Sequence, residues 1–224
     1  MTTESLVTTT TDLTDIVAAL DLSPVIPVAT ITRVVDAVPL AETLLDGGIA
    51  IIEITLRSDA ALGAIEAIRK GCPEMYVGAG TLWTAQQTMR AASAGAEFIV
   101  SPGIADAVAD VATSLRLPYL PGAQTASEMA HLVRRGAKAA KFFPAGPAGG
   151  VAALAALAAV FPDLLFCPTG GISETSAPDY LCLPCVPCVG GSWLVTKTLL
   201  AEQNWAAIRA MASRAVLLKS HAAQ

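Results

Sequence analysis

The sequence predicts an α/β protein built as a (β/α)8 barrel, with one extra helix before the first strand. Three observations lead to this prediction. Apolar runs of strand length alternate with alanine-rich segments of helical spacing, eight such pairs fit in 224 residues, and glycines close several helical segments. Nearly continuous apolar runs are typical of parallel strands buried on both faces, and eight βα units of this size form a compact barrel. A doubly wound open sheet is the structural alternative, which the even spacing disfavours.

The predicted strands are short runs rich in Val, Ile, Phe and Tyr, residue types that favour strands. The series opens with "PVIPVATI" and "IAIIEITL" and closes with "CVGGSW". In chain order the runs cover 24–31, 49–56, 75–80, 97–102, 118–123, 139–144, 164–170 and 188–193.

The segments between these runs repeat apolar residues at helical spacing and are rich in alanine, the best helix former. Examples are "VVDAVPLAETLLDGG", "TAQQTMRAASAGA" and "TASEMAHLVRRGA". A shorter helix is expected near 173–181, and the eighth over about 202–219. The extra first helix begins near Asp12 or Thr14, after a flexible tail of residues 1–11. No linker or shift in composition divides 1–224, which predicts one domain.

Composition and charge exclude several classes of partner. The net charge is −5, the pI is about 5.0, and no run of Lys and Arg is present, so nucleic acid is not expected to bind. The mean hydropathy is high, at +0.58. However, prolines and glycines interrupt the longest uncharged run, 142–162, and what remains is too short to span a membrane. The start of the chain lacks the pattern of a secretory signal. We therefore expect a soluble, cytoplasmic protein that does not bind a membrane.

Cysteine and histidine offer little for a metal site. Cys182, Cys185 and Cys188 have C-x2-C-x2-C spacing in "CLPCVPC", which allows an iron–sulfur or zinc site, but a closed tetrahedral site needs a fourth ligand. Small apolar packing residues are the alternative. His131 and His221 fall in helical segments, so they are expected on the surface or in packing contacts. No metal or cofactor is expected, and neither are disulfides.

Polar residues near strand ends are the candidates for chemistry, because barrel enzymes build their sites at the carboxyl ends of the strands. Glu53 and Arg57 in "EITLR" are four apart, so along a strand they share a face. A carboxylate in an apolar strand is costly unless it is paired or used. A structural Glu53–Arg57 ion pair is the alternative to a catalytic role. The third strand ends at Thr81, and the fourth ends in "SPG", which contains Pro102.

Two lysines lie near the sixth strand, in "KAAKFFPAGPAGG". Lys138 is at the start of the strand, so we expect a solvated surface lysine. Lys141 is inside the strand, where lysine is rarely found unless it is paired or functional. A buried lysine that loses its charge becomes a usable amine nucleophile. The structural alternative is an ion pair within the core, with Glu53 as the partner.

Paired glycines follow the seventh and eighth strands, in "PTGG" and "VGGS". Glycine lets backbone N–H groups approach a ligand closely, and barrels commonly hold a phosphate at these two loops. Two tight turns are the alternative. The phosphate-binding residues that this pattern predicts are Gly170, Gly171, Gly190, Gly191 and Ser192.

Taken together, "EITLR", "VGAGT", "SPG", "KFFPA", "FCPTGGI" and "CVGGSWL" resemble, in order and spacing, the 2-keto-3-deoxy-6-phosphogluconate (KDPG) aldolases, which overlap in function with the 4-hydroxy-2-oxoglutarate (KHG) aldolases. The resemblance runs from "PVIPV" to the last helix. It implies a class I aldolase of the Entner–Doudoroff pathway, on a (β/α)8 barrel, assembled as a homotrimer and working without a cofactor.

The resemblance also implies roles for individual residues. Lys141 would form the Schiff base and Glu53 would be the general acid and base. The pyruvate-binding set would be Arg57, Thr81, Phe143 and Pro102, and the "TGG" and "GGS" turns would bind the phosphate. Two departures from the family pattern stand out, namely Gln124 in "PGAQT" and the number of cysteines in "CLPCVPC".

The expected reaction is cleavage of a phosphorylated 2-keto acid, KDPG, to pyruvate and glyceraldehyde 3-phosphate, with activity on 4-hydroxy-2-oxoglutarate as well. Three alternatives remain open on the same barrel. They are an aldolase for the galactonate epimer, a phosphosugar isomerase or epimerase, and a non-catalytic phosphosugar sensor.

Overall fold

The computed structural model describes residues 15–218. The described strands are β1 (Val25–Ala29), β2 (Ile51–Thr55), β3 (Tyr76–Gly80), β4 (Phe98–Val100), β5 (Tyr119–Leu120), β6 (Gly122–Ala123), β7 (Ala139–Phe142), β8 (Leu165–Phe166) and β9 (Val189–Gly191). Every residue of β1 to β4 except Val28 is buried, as expected for strands covered on both sides.

Helices alternate with these strands. They are α1 (Ile16–Leu20), α2 (Ala37–Asp46), α3 (Ala61–Gly71), α4 (Ala85–Ser93), α5 (Asp106–Leu115), α6 (Ala126–Arg134), α7 (Gly150–Val160), α8 (Ala177–Leu181), α9 (Lys197–Ala201) and α10 (Trp205–Ala215), and a 3-10 turn covers Val34–Asp36. Thr84 and Thr125 begin α4 and α6 with capping boxes, which satisfy backbone N–H groups at the first turn. No helix among residues 15–218 is long and apolar enough to cross a membrane.

The strands form two parallel sheets. One has six strands in the order β5-β4-β3-β2-β1-β9, and the other has three in the order β6-β7-β8. The expected α/β class with parallel strands is confirmed. The two sheets are next to each other at two places. Pro121 alone separates β5 from β6, and a parallel bridge joins Thr169, just after β8, to Gly190 in β9.

Several predicted bounds are corrected. The expected fifth strand, 118–123, is divided at Pro121, which has no backbone N–H to give to a ladder. The expected eighth helix, about 202–219, begins only at Trp205, because the Asn204 side chain accepts a hydrogen bond from Ala207 N at 3.2 Å and caps it there. The first helix begins at Ile16 after its cap, Asp15. The predicted tail 1–11, Asp12, Thr14, residue 219 and His221 lie outside the described residues.

Buried apolar side chains from the strands and the inner helix faces form one continuous core. The register of the strands decides where polar residues lie within this core. Glu53 in β2 lies opposite Gly78 in β3, and Thr55 lies opposite Gly80. Glycine at position 80 leaves room beside β2 for the Glu53 side chain.

Candidate active site

Lys141 and Glu53 meet inside the protein as a buried ion pair. Lys141 Nζ donates to Glu53 Oε1 at 3.0 Å and to Oε2 at 3.1 Å. The two side chains are only 6% and 5% exposed. The ion pair foreseen as the structural alternative for Lys141 is therefore present, and the Glu53–Arg57 pair is not the one that forms. A buried ion pair often stabilises a fold no more than apolar residues would. The Lys141–Glu53 pair is therefore as consistent with a catalytic role as with a structural one.

Glycine in β3 makes room for the carboxylate. A Cβ atom at Gly80 would overlap Glu53 Oε1, and its next contacts, Glu53 Cδ at 2.6 Å and Cγ at 2.7 Å, are also too short. Any side chain at Gly80 would therefore displace the carboxylate from Lys141. This small residue thus fixes where the Glu53 side chain lies.

The pair opens into a cavity of about 170 Å³. Eleven of the twelve residues expected from the sequence line it. Besides Lys141 and Glu53 they are Arg57, Thr81, Pro102, Phe143, Thr169, Gly170, Gly171, Gly190 and Ser192. A larger groove of about 450 Å³ lies between α3 and α4, but no buried ionisable group lines it. The smaller cavity encloses the buried Lys141–Glu53 pair, so it is the candidate active site.

The residues predicted to bind pyruvate are among those that line this cavity. Arg57 follows the end of β2, at Thr55, so it does not share a strand face with Glu53 as the spacing suggested. Its exposed guanidinium is nonetheless at the lining. The ring of Phe143 lies with its centroid 5.6 Å from Lys141 Nζ.

Thr81 has an unusual backbone conformation. Its φ is 66°, in the left-handed region that a β-branched residue rarely adopts. Such strain persists only where the surroundings enforce it, and it is common at functional sites. Thr81 lines the cavity beside Pro102, so the strain falls at the site.

The turn after β8 has the geometry expected of a ligand-binding loop. Gly170 and Gly171 have φ values of 93° and 75°, which favour glycine. Gly190 has no room for a side chain, because a Cβ atom there would overlap Thr169 Oγ1. Ser192 is exposed at the lining.

Gly191 is the one predicted site residue that the cavity does not include. A Cβ atom at Gly191 would overlap the ring of Trp193, so this position faces the tryptophan. Alternation along a strand explains the result, since neighbours in β9 point to opposite faces. Of the two glycines in this pair, Gly190 therefore lines the cavity, and Gly191 leaves room for the ring of Trp193.

Sequence reasoning missed Val28 and Ile172, which also line the cavity. Both are apolar, so neither has a chemical signal in the sequence. In the structure, Val28 lies opposite Glu53 in the pairing of β1 with β2.

The remaining candidates behave as follows. Lys138 is exposed, as predicted for a surface lysine. His131 is on the surface, with Nε2 3.0 Å from Asp106 Oδ1. Gln124 is exposed and does not line the cavity. Within residues 15–218, no three His, Cys, Asp or Glu side chains gather as a metal site would require, and Cys182, Cys185 and Cys188 do not converge.

Comparison with known proteins gives consistent results. The sequence model of the KDPG and KHG aldolase family matches residues 16–211. The KHG/KDPG aldolase of Escherichia coli K12 is 43% identical over 197 residues, which are 88% of this chain and 92% of that protein.

Solved structures agree in fold over the same extent. The KDPG aldolase of Zymomonas mobilis ZM4, crystallised with 3-phosphoglycerate, has a TM-score of 0.87 and 42% identity, covering 92% of this chain and 97% of that one. The KDPG aldolase of Legionella pneumophila, with pyruvate captured as a covalent carbinolamine, has a TM-score of 0.86 and 41% identity, covering 89% and 97%. By its sequence and its fold, the chain belongs to the KDPG and KHG aldolase family.

Proposed function

We propose that this protein is a class I aldolase that cleaves KDPG to pyruvate and glyceraldehyde 3-phosphate through a Schiff base at Lys141, and that it also acts on 4-hydroxy-2-oxoglutarate. The observation that carries the proposal is the buried Lys141–Glu53 pair at a cavity, in a member of this family. A phosphosugar isomerase, an epimerase or a sensor has no need of a buried amine.

The first step is attack of the Lys141 amine on the ketone of the substrate. Lys141 must lose a proton to become a nucleophile. Both Glu53 oxygens lie within hydrogen-bond distance of Nζ, so the carboxylate takes this proton directly. Glu53 then returns it as the carbinolamine loses water. The carbinolamine that pyruvate forms in the Legionella pneumophila aldolase is the corresponding intermediate in a relative.

The iminium formed at carbon 2 then serves as an electron sink. A base removes the proton of the carbon 4 hydroxyl, the bond between carbons 3 and 4 breaks, and glyceraldehyde 3-phosphate departs. The electrons of the broken bond enter the iminium and give a neutral enamine. Protonation of carbon 3 and hydrolysis release pyruvate and free Lys141. The protein supplies the electron sink itself, so this class I reaction is independent of a metal.

The rest of the lining orients the substrate. Arg57 presents a planar fork that matches a carboxylate, and Thr81, Pro102 and Phe143 enclose the pyruvate portion beside it. At the other side, backbone N–H groups of Gly170, Gly171 and Gly190 approach the phosphate, and Ser192 adds a hydroxyl. Thr169 is buried beneath this turn and supports it. Gly191 takes no direct part.

We further propose that the two sheets form one closed eight-stranded barrel, with β5 and β6 as a single interrupted strand. The bridge between Thr169 and Gly190, and the hydrogen bond from Lys141 N to Pro121 O at 2.8 Å, support closure on both sides. The homotrimer is a proposal that rests on the resemblance, and the single domain and the cytoplasmic location are proposals that rest on the sequence pattern. Light scattering after gel filtration tests the trimer.

Trapping with borohydride tests the proposed function. Pyruvate and borohydride should add one reduced pyruvate to the protein, mapped by mass spectrometry to Lys141. Lys141→Met keeps bulk but should abolish trapping and turnover, whereas Lys138→Met, at an exposed position just before β7, should preserve both. An adduct at Lys138, or turnover without any adduct, would rule the mechanism out. Assay of both carbon 4 epimers separates KDPG from the galactonate alternative.

A further inference from the structure

Two cysteines lie on the strands next to Lys141. The register of β7 with β8 pairs Ala139 with Leu165 and Ala140 with Phe166, which brings Cys167 opposite Lys141. The ladder continues there, since Cys167 N donates to Ala140 O at 2.9 Å. On the other side of β8, a bridge pairs Thr169 with Gly190. Two residues earlier on each strand, this register places Cys167 opposite Cys188.

These cysteines face the interior of the fold. Side chains two apart on a strand share a face, and both Thr169 and Gly190, two residues further on, line the cavity. Cys167 and Cys188 are 2% and 0% exposed. They therefore lie two residues before the cavity lining on their strands, with Cys167 in register with Lys141.

The two thiols are already in contact. The Cys188 thiol donates a hydrogen bond to Cys167 Sγ, with the sulfurs 3.7 Å apart. Residues in register on neighbouring strands have Cα atoms about 4.8 Å apart, which is within the range of about 4.4–6.8 Å that a disulfide requires. The spacing of the two strands therefore permits a disulfide between these residues.

We propose that Cys167 and Cys188 form a reversible disulfide when the protein meets a hydroperoxide, and that this bond switches off the site at Lys141. The switching step rests on the proposed function of Lys141. The formation of the bond does not.

The chemistry balances with the hydroperoxide as oxidant. The Cys167 sulfur attacks one peroxide oxygen, the O–O bond breaks, and water departs with the thiol proton, leaving a sulfenic acid. The Cys188 sulfur then attacks the Cys167 sulfur, and a second water departs with the Cys188 proton. Two thiols are oxidised to one disulfide, and one hydrogen peroxide is reduced to two waters.

Cys167 is suited to the attacking role. The hydrogen bond from Cys188 lowers the pKa of the Cys167 thiol, and the positive charge of Lys141 and a contact with Thr169 act in the same direction, against burial and the charge of Glu53. The thiolate is the form that reacts. Hydrogen peroxide is small enough to enter the cavity, whose lining includes Lys141 and Thr169.

The new bond would disturb the site. The sulfurs must close from 3.7 Å to about 2.05 Å. Thr169 Oγ1 lies 3.9 Å from Cys167 Sγ and directly against Gly190, so this region has little free space. A close-packed interior transmits such movement. Because misplacement by about 1 Å can cost about 10²-fold in rate, turnover should fall by that order.

The experiment treats the full-length protein with hydrogen peroxide and then divides the sample. Mass spectrometry of peptides, with free thiols first blocked, identifies a loss of two hydrogens and the Cys167–Cys188 linkage. Turnover and borohydride trapping of pyruvate are measured in parallel, before and after reduction with dithiothreitol. Cys188→Ala and Cys188→Ser remove the resolving thiol, and Cys182→Ser combined with Cys185→Ser is the matched control.

We expect the linkage in the wild type and in the Cys182/Cys185 control, with about 10²-fold loss of turnover that dithiothreitol restores. Neither Cys188 variant should form it. Absence of the linkage in a protein that still turns over would overturn the proposal, as would a linkage that leaves turnover unchanged. If the reduced protein neither traps pyruvate nor turns over, the proposed function fails, while the linkage is still decided by mass.

Discussion

Lys141 and Glu53 hold each other in a place where neither would be stable alone. Both are buried, and each Glu53 oxygen accepts from Nζ. Removal of one partner leaves an uncompensated charge, which typically costs about 3–5 kcal/mol. Tests of function at these residues therefore need substitutions of similar size, with folding checked in parallel.

Glu53→Gln is such a substitution. The amide oxygen still accepts from Lys141, but the group no longer carries protons at neutral pH. We expect kcat to fall by about 10²–10⁴-fold, the usual contribution of general acid and base catalysis. Glu97→Gln is the control, because Glu97 is also partly buried and ion-paired, with Arg69 at 3.0 Å, but does not line the cavity. Equal kcat values for the two variants would leave Glu53 a structural partner.

At the level of elements, β3 contains two glycines with different tasks. Gly78 and Gly80 lie two apart on one strand, but a Cβ atom at Gly78 would overlap the buried ring of Phe98, whereas one at Gly80 would overlap Glu53. The same substitution at the two positions therefore strains different neighbours.

Gly80→Ala should mainly affect activity, since it moves the Glu53 carboxylate, with a loss of kcat of about 10²-fold. Gly78→Ala should mainly affect stability, because overpacking typically costs about 1–3 kcal/mol. Steady-state kinetics and thermal unfolding of both variants form the test. A Gly78→Ala protein that loses more activity than Gly80→Ala would contradict this division.

The turn after β9 contains a test of the phosphate site. Ser192→Ala removes one hydroxyl donor at the lining and leaves the backbone in place. Hydrogen bonds to charged groups contribute about 1.5–3 kcal/mol, so kcat/KM for KDPG should fall by about 10- to 100-fold. For 4-hydroxy-2-oxoglutarate, which has no phosphate, it should change little. A similar loss with both substrates would assign Ser192 to the imine side of the cavity.

Over the whole molecule, Asp36 ties distant parts of the chain together. Its carboxylate accepts from Arg33 at 2.6 and 2.8 Å, and from Gln203 Nε2 at 3.0 Å near the other end of the described chain. The hydrogen bond from Arg33 holds the pKa of Asp36 below its usual value, with help from Gln203 and against burial. A lowered pKa means that the ionised carboxylate stabilises the folded state, and that this stabilisation is lost as the pH falls through the folded-state pKa.

Asp36→Asn should therefore lower the free energy of unfolding at neutral pH by about 1.5–3 kcal/mol. The difference from wild type should shrink once the pH falls below about 4, the ordinary pKa of aspartate. Asp46→Asn is the control, because Asp46 pairs with Arg209 at the exposed surface, where ion pairs add little. Denaturant unfolding across pH measures both, and a difference that persists in acid would argue against the Asp36 ion pair as its cause.

The sequence was sufficient for features that follow from local pattern. Alternating runs and helical spacing predicted the parallel α/β class, and the lone lysine in an apolar strand predicted Lys141. What it could not supply depends on where each strand stops. Arg57 lies past the end of β2, and Gly191 faces Trp193, because strand ends and facing directions are set by neighbouring strands. Val28 and Ile172 carry no chemical signal, so only the three-dimensional arrangement identifies them.

The two members of the buried pair are 88 residues apart along the chain. During synthesis the acidic partner in β2 leaves the ribosome first, and β3 to β6 follow before the amine in β7 is made. Before β7 is made, a partly folded chain must either leave the Glu53 carboxylate in water or bury it without its counterion. Burial without the counterion is unfavourable. Burial of β2 before β7 has joined is therefore unfavourable in free energy, and it becomes favourable once Lys141 can pair with Glu53. The residues that we assign to catalysis consequently also set the order in which the nascent chain can condense.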